Sequence, residues 1–193
     1  MSGRNLTIIL LAILVALVAI VIGWWIGQKP KSELPVEVVV PVEPIPEGTG
    51  VLIDLYFPGG GTQLVAEQRE VPQESETDKQ LTRLLQELTA GPESIELYAP
   101  LPEEITVGWT HINPANVAYI DLDFADEAAR PAWGSGHEIL SIYSIVNTVL
   151  LNLPEITSVI LLSNGQQRPT FAGHLDTSRP LLANLNLIAA AEP

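Results

Sequence analysis

Hydrophobic positions change their period along this chain, and each change marks an element. Residues 6–26 are apolar almost without a break, interrupted only by Thr7 and Gly23. As a helix this run spans about 31 Å, the thickness of a bilayer hydrocarbon core. It is apolar on every side, unlike a helix with one core-facing stripe. Trp24 and Trp25 close it, where amphipathic rings favour the headgroup layer. The run is too long for the apolar part of a signal peptide and lacks a following A-x-A pattern. An uncleaved transmembrane anchor over 6–26, preceded by a short cytoplasmic N-terminus over 1–5, is therefore expected. Residues 27–48 then carry Pro30, Pro35, Pro41, Pro44 and Pro46 with Glu33, Glu37, Glu43 and Glu47. Prolines deny this stretch a helix and like charges extend it, which predicts a tether reaching about 65 Å. Its Val36-Glu37-Val38-Val39-Val40 run could instead add to a sheet as an edge strand.

From residue 49 the periods are those of one folded domain, 49–193. Val51, Ile53, Leu55 and Phe57 alternate with Leu52, Asp54 and Tyr56, the period of a strand. Pro58-Gly59-Gly60-Gly61 turns the chain into a second, more polar strand near 63–71. Leu81, Leu84, Leu85 and Leu88 then form a helical stripe. Thr77 and Gln80 have the spacing of a capping box at its start, and Gly91-Pro92 stops it. A hairpin follows, with Ile105, Val107, Trp109 and His111 on one strand and Ala118, Ile120, Leu122 and Phe124 on the next. Asn113-Pro114-Ala115-Asn116 supplies its turn. A second helix opens at Ser135, with Glu138 as its capping partner, and buries Ile139, Ile142, Tyr143, Val146, Val149 and Leu150 before Pro154. Val159-Ile160-Leu161-Leu162, apolar on both faces, predicts a central strand. Asn164-Gly165 turns the chain back through 169–172 as a last strand. The expected fold is α+β, of order ββ-α-ββ-α-ββ, with both helices packed on a mixed sheet as two layers.

Charge and composition narrow the function. From Ser32 onward there are 23 acidic residues against 6 basic, a net of −17, and the chain has no cysteine. Such a surface is repelled by phosphate backbones, so no nucleic-acid partner is expected. The missing cysteine removes disulfides, thiolate metal sites, cysteine nucleophiles and a lipid-modified cysteine. Arg4 against Lys29 and Lys31 leaves membrane orientation nearly balanced.

Candidate chemistry is sparse. Gly59-Gly60-Gly61 has no Gly-Lys-Ser/Thr after it and reads as a hairpin turn rather than a phosphate cradle. Ser135 and His137 lack the G-x-S-x-G context of a nucleophile. His111, His137 and His174 fall in separate segments, without metal-binding spacing. Asp121 and Asp123 point to one face of their strand, and Asp126 and Glu127 complete an acidic patch. This patch is a candidate interaction surface. As alternatives it could hold a hard cation or a small solute, or supply, with Glu138 or His137, the acid and base of an envelope-polymer hydrolase. No catalytic, cofactor-binding or metal residue is assigned, and no cofactor is expected.

Taken in order, VLIDLYF at 51–57, LVAEQREV at 64–71, LTRLLQELTAGP at 81–92, LPEEITV at 101–107, VAYIDLDF at 117–124, VILLSNG at 159–165 and GHLDTSRPL at 173–181 resemble the GerMN domain, a module named for a bacterial sporulation and spore-germination protein. The resemblance implies an extracytoplasmic domain on a lipid anchor or a transmembrane helix, which places the domain outside the cell membrane. The family also occurs outside spore formers. Some members are similar to ring-building domains of envelope complexes, and no catalytic residues come with the family. Lacking the lipid-acceptor cysteine, this chain would use 6–26 as its anchor. The expectation is a non-enzymatic assembly module, with an envelope protein or a second copy of itself as partner.

Overall fold

The computed structural model describes residues 50–124 and 133–190. The expected cytoplasmic stretch, anchor and tether lie outside these, as do Asp126 and Glu127. Among the described residues no helix is long and apolar enough to cross a membrane. The chain runs β1 (Gly50–Pro58), β2 (Leu64–Pro72), α1 (Thr77–Thr89), β3 (Ile105–Ile112), β4 (Val117–Phe124), α2 (Ser135–Asn152), β5 (Ser158–Ser163) and a single 3-10 turn at Leu185–Leu187. The class is α+β, with two helices and a mixed sheet.

The strands divide between two sheets rather than joining in one. β1 and β2 form an antiparallel ribbon from Gly50 opposite Pro72 to Pro58 opposite Leu64. The other sheet has the order β3-β4-β5, with β3 antiparallel and β5 parallel to the central β4. One core joins them. It takes Ile53, Leu55 and Phe57 from β1, Leu81, Leu84, Leu85 and Leu88 from α1, Ile120 and Leu122 from β4, and Ile142, Ile145, Val146 and Val149 from α2. Each of these side chains contributes about 1.5–3 kcal/mol by leaving water. α2 is more deeply enclosed than its expected stripe implied. Leu140, Ser141, Ser144, Asn147 and Thr148 are buried along with the apolar residues, whereas Ile139, Tyr143 and Leu150 are only half-buried.

The reason the sheets stay apart lies on α2. Ser144, Thr148 and Asn152 recur every four residues and so share one face. Thr148 Oγ1 accepts from Tyr56 N–H at 3.1 Å, and Asn152 Oδ1 accepts from Asp54 N–H at 2.9 Å. Asn152 Nδ2 donates to Asp54 C=O at 2.8 Å, and the Ser144 hydroxyl donates to Tyr56 C=O. A helix thus occupies the edge of β1 where another strand would sit, answering its main-chain groups with side chains. α1 does the same on a smaller scale at β3, where Asp78 Oδ1 accepts from Ile112 N–H at 3.1 Å.

Two local expectations fail. Neither capping box forms. α1 begins after Glu76 with no side-chain cap, and Gln80 accepts instead from Glu74 N–H at 2.8 Å. α2 begins after Gly134, also without a side-chain cap, and Glu138 reaches away from the helix. The last expected strand is absent among the described residues. Thr170 makes an isolated bridge to Asp176, and the outer edge of β5 pairs with Leu181, whose N–H and C=O both bond Val159. Pro169 has no N–H for a ladder, and the amides that follow it are claimed by Glu138.

Candidate functional site

At the end of the ribbon, a cavity of ≈ 760 Å³ opens between the turn after β1, the 98–102 loop and the first turns of α2. Its walls are Pro58, Tyr98, Leu101, Pro102, Trp133, His137 and Leu140, with Leu187 beneath, and among the described residues no carboxylate lines it. Two of these walls are fixed by main-chain bonding or stacking. Tyr98 N–H donates to Pro58 C=O at 2.9 Å, which pins the loop to the end of β1 and leaves the Tyr98 ring 60% exposed. Trp133 stacks on His137 with ring centroids 4.7 Å apart and an interplanar angle of 6°. Behind them Trp133 meets Phe171 at 5.6 Å, and Phe171 meets Phe124 at 5.1 Å. Such aromatic surface takes apolar side chains with little loss of side-chain freedom.

The wall is anchored by Glu138. Its side chain is fully buried. Oε1 accepts from the amides of Phe171 at 3.1 Å and Ala172 at 2.6 Å, and Oε2 accepts from the amide of His174 at 2.7 Å. His174 Nδ1 lies 3.0 Å from the same Oε2. Burial pushes the Glu138 carboxyl up, but the amides of Ala172, His174 and Leu175 and the His174 ring outweigh it and hold the group below its ordinary range. A carboxylate so fully bonded and kept ionised is a poor proton donor. Its work is to hold the 171–174 loop, and with it the Phe171 ring, beneath Trp133.

A second carboxylate does matching work on the ribbon. Glu67 accepts from the amides of Glu93 and Ser94, each at 3.0 Å through Oε2. Arg69 Nη2 donates to Glu67 Oε1 and to Gly91 C=O, both at 2.6 Å, and Nη1 donates to Glu87 C=O at 3.1 Å. Burial raises the Glu67 carboxyl, but the Ser94 and Glu93 amides and Arg69 bring it below the ordinary range. The fork therefore ties β2 to the end of α1, where Gly91 takes a φ of 89°.

The acidic residues singled out in the sequence take separate places. Asp121 is buried, and its Oδ1 accepts from Gly165 N–H at 2.9 Å. It braces the Asn164-Gly165 turn, whose φ values of 50° and 75° are those of a tight hairpin turn. Asp123 is exposed, and its carboxylate lies over Gly108, where an added Cβ would meet Oδ2 at 2.5 Å. Gly108 lies where β3 departs from regular register, between Val107 and Thr110, and a side chain there would displace the Asp123 carboxylate. Among the described residues no three metal-ligating side chains converge, and Asp121, Asp123, His137 and Glu138 make no hydrogen bonds to one another. The groove was not foreseen. Tyr98 and Trp133 lie in stretches without periodicity, and only their aromatic character marked them.

A family model described as "Germane: Sporulation and spore germination" matches residues 54–169, more than half of the chain. The chain belongs to this family. Among solved structures, the Germane chain is similar to the first GerMN domain of the sporulation protein GerM from Bacillus subtilis, at 21% identity and a TM-score of 0.53, covering 69% of this chain and 97% of that one. It is similar also to the tandem GerMN domains of the same protein, at 23% identity and a TM-score of 0.52, covering 69% of this chain and 46% of that one. A candidate lipoprotein from Clostridium perfringens matches at 22% identity and a TM-score of 0.50, covering 72% of this chain and 93% of that one. These likenesses are of fold. No curated protein matches the Germane chain.

Proposed function

We propose that this Germane chain is a non-catalytic assembly module of the bacterial cell envelope. It would be held in the membrane by residues 6–26, with its folded domain outside, and would dock onto another envelope protein. Membership of a sporulation and germination family supports the setting, and so does the likeness to a candidate lipoprotein. The observation that carries the docking role is the groove of Tyr98, Trp133, His137 and Leu140. It is largely apolar, and among the described residues no carboxylate lines it, in a strongly acidic chain. Apolar pockets ringed by charge are where binding energy concentrates. The acidic surroundings favour partners with a basic rim and speed their encounter at low salt. The test is affinity capture from envelope extract, with the full chain in detergent micelles as bait. The expected result is a defined protein retained by the native chain and lost with Tyr98→Ala. Recovery equal to that of a heat-denatured chain, or unchanged by Tyr98→Ala, would overturn the proposal.

A further inference from the structure

The sheets have four outer edges, and packed elements answer main-chain groups on three of them, at β3 a single amide. α2 answers β1 through Ser144, Thr148 and Asn152, Asp78 of α1 answers β3, and Leu181 and Gln166 answer β5. β2 differs. Its start is held where Ala189 N–H donates to Leu64 C=O at 2.8 Å. Beyond that point, among the described residues, the edge is open. Asp54 and Tyr56 turn their main-chain groups toward α2, and they stand opposite Gln68 and Ala66. In an antiparallel pair such opposed residues both face outward, away from each other's strand. The N–H and C=O groups of Ala66, Gln68 and Glu70 therefore point off the ribbon, and among the described residues none bonds them. All three side chains are exposed.

The sequence of this edge is self-complementary. Around Gln68, the order Val65-Ala66-Glu67-Gln68-Arg69-Glu70-Val71 reads as apolar, small, acidic, polar, basic, acidic, apolar. An antiparallel copy centred on the same residue would set Glu67 against Arg69, Val65 against Val71 and Gln68 against itself. Opposed residues share a face with Cβ atoms about 4.5–5.5 Å apart, so each Arg69 would gain a second Glu67 beside its own. A register shifted by two residues would lose this match and set like charges against each other.

We infer that the open edge of β2 pairs with β2 of a second copy, in an antiparallel register centred on Gln68. This rests on the assembly reading above and names one partner for it, the chain itself. The two-fold contact is self-closing and joins two copies without propagating into a fibre. It is smaller than the roughly 1,000 Å² typical of independently stable interfaces, so it works between copies already concentrated near one another.

The chain has no cysteine, which makes the register directly testable. Gln68→Cys, Ala66→Cys and Glu70→Cys are each made in the full chain in detergent micelles, oxidised mildly and resolved on a non-reducing gel. Opposed Cα atoms in a hydrogen-bonded antiparallel pair lie about 5.5 Å apart, within disulfide range. The expected result is at least tenfold more cross-linked dimer for Gln68→Cys than for either flanking variant alone. An equal mixture of Ala66→Cys and Glu70→Cys should cross-link to about half the extent of Gln68→Cys, since about half of its dimers are mixed and bring the two cysteines within disulfide range. Equal yields at all three positions, or no dimer at Gln68→Cys with the melting midpoint unchanged, would overturn the pairing. Groove-dependent capture of another protein would then still stand, which separates failure of the edge from failure of the assembly reading.

Discussion

Glu138 Oε2 and His174 Nδ1 lie 3.0 Å apart across 36 residues of sequence, and the carboxylate is fully buried while the ring is 43% exposed. The same carboxylate gathers three amides of the loop that carries Phe171. One side chain on α2 therefore decides where the aromatic wall of the groove stands.

The consequence for pH follows from the sign of the shift. A carboxyl held below its ordinary value of 4.5 stabilises the fold fully above that value, and the contribution is lost as pH falls through its lower folded value. Thermal melting of the native chain should therefore fall off below about pH 4.5, and Glu138→Gln should flatten that acid limb. At neutral pH the same substitution turns an acceptor into a donor facing amides and should cost about 2–4 kcal/mol. His174→Ala keeps its main-chain donor and should cost less. An acid limb unchanged by Glu138→Gln would contradict this account.

The helix that replaces a strand gives a second expectation. Thr148→Val preserves shape but leaves Tyr56 N–H unanswered in the interior, and should cost about 1–3 kcal/mol in urea unfolding. Asn152→Leu removes two bonds to Asp54 and should cost more than Thr148→Val. A neutral Thr148→Val would mean that water or another group takes over the amide.

Arg69 tests geometry against charge. Its fork reaches Glu67, Gly91 C=O and Glu87 C=O at once, and its guanidinium lies 5.6 Å from the Phe57 ring centroid. Lysine keeps the charge but cannot reproduce the planar fork. Arg69→Lys should therefore lose about 1–3 kcal/mol in chemical denaturation, and a chain as stable as the native one would refute the claim.

For the groove, Tyr98→Ala removes an exposed ring whose loop remains pinned by its own amide. Partner capture should drop at least tenfold, as for a central contact residue, while the melting midpoint moves by no more than a couple of degrees. Loss of capture together with collapse of the melting midpoint would point to a structural role instead.

Legibility varied with how local the deciding interaction was. The leucine stripe of α1, the Asn164-Gly165 turn and the alternation of β1 were all readable because helix and strand periods act over a few residues. The GerMN resemblance drew on the same pieces in order, and the family match agrees with it. Ser135 with Glu138 had the local spacing of a cap, yet Glu138 is spent on amides more than 30 residues away. Asp121 and Asp123 share a strand face as expected, but one is buried against a turn and the other covers Gly108. Spacing in sequence does not fix which partner wins when several unsatisfied donors lie within reach.

By itself, then, the sequence determined the segments of both helices and of β1 to β5, most of their turns, and that the folded part is acidic and free of cysteine, though not that 169–172 stays out of any strand. It shows as well the apolar run at 6–26, from which the expectation of an anchor comes. Only the tertiary structure decided that α2 closes the edge of β1, that Glu138 holds a loop rather than a helix end, and that no described residue pairs the outer edge of β2. Those outcomes turn on pairing buried polar groups. Each such group must find a partner once water is excluded, and the partner it finds depends on what the packed core brings near.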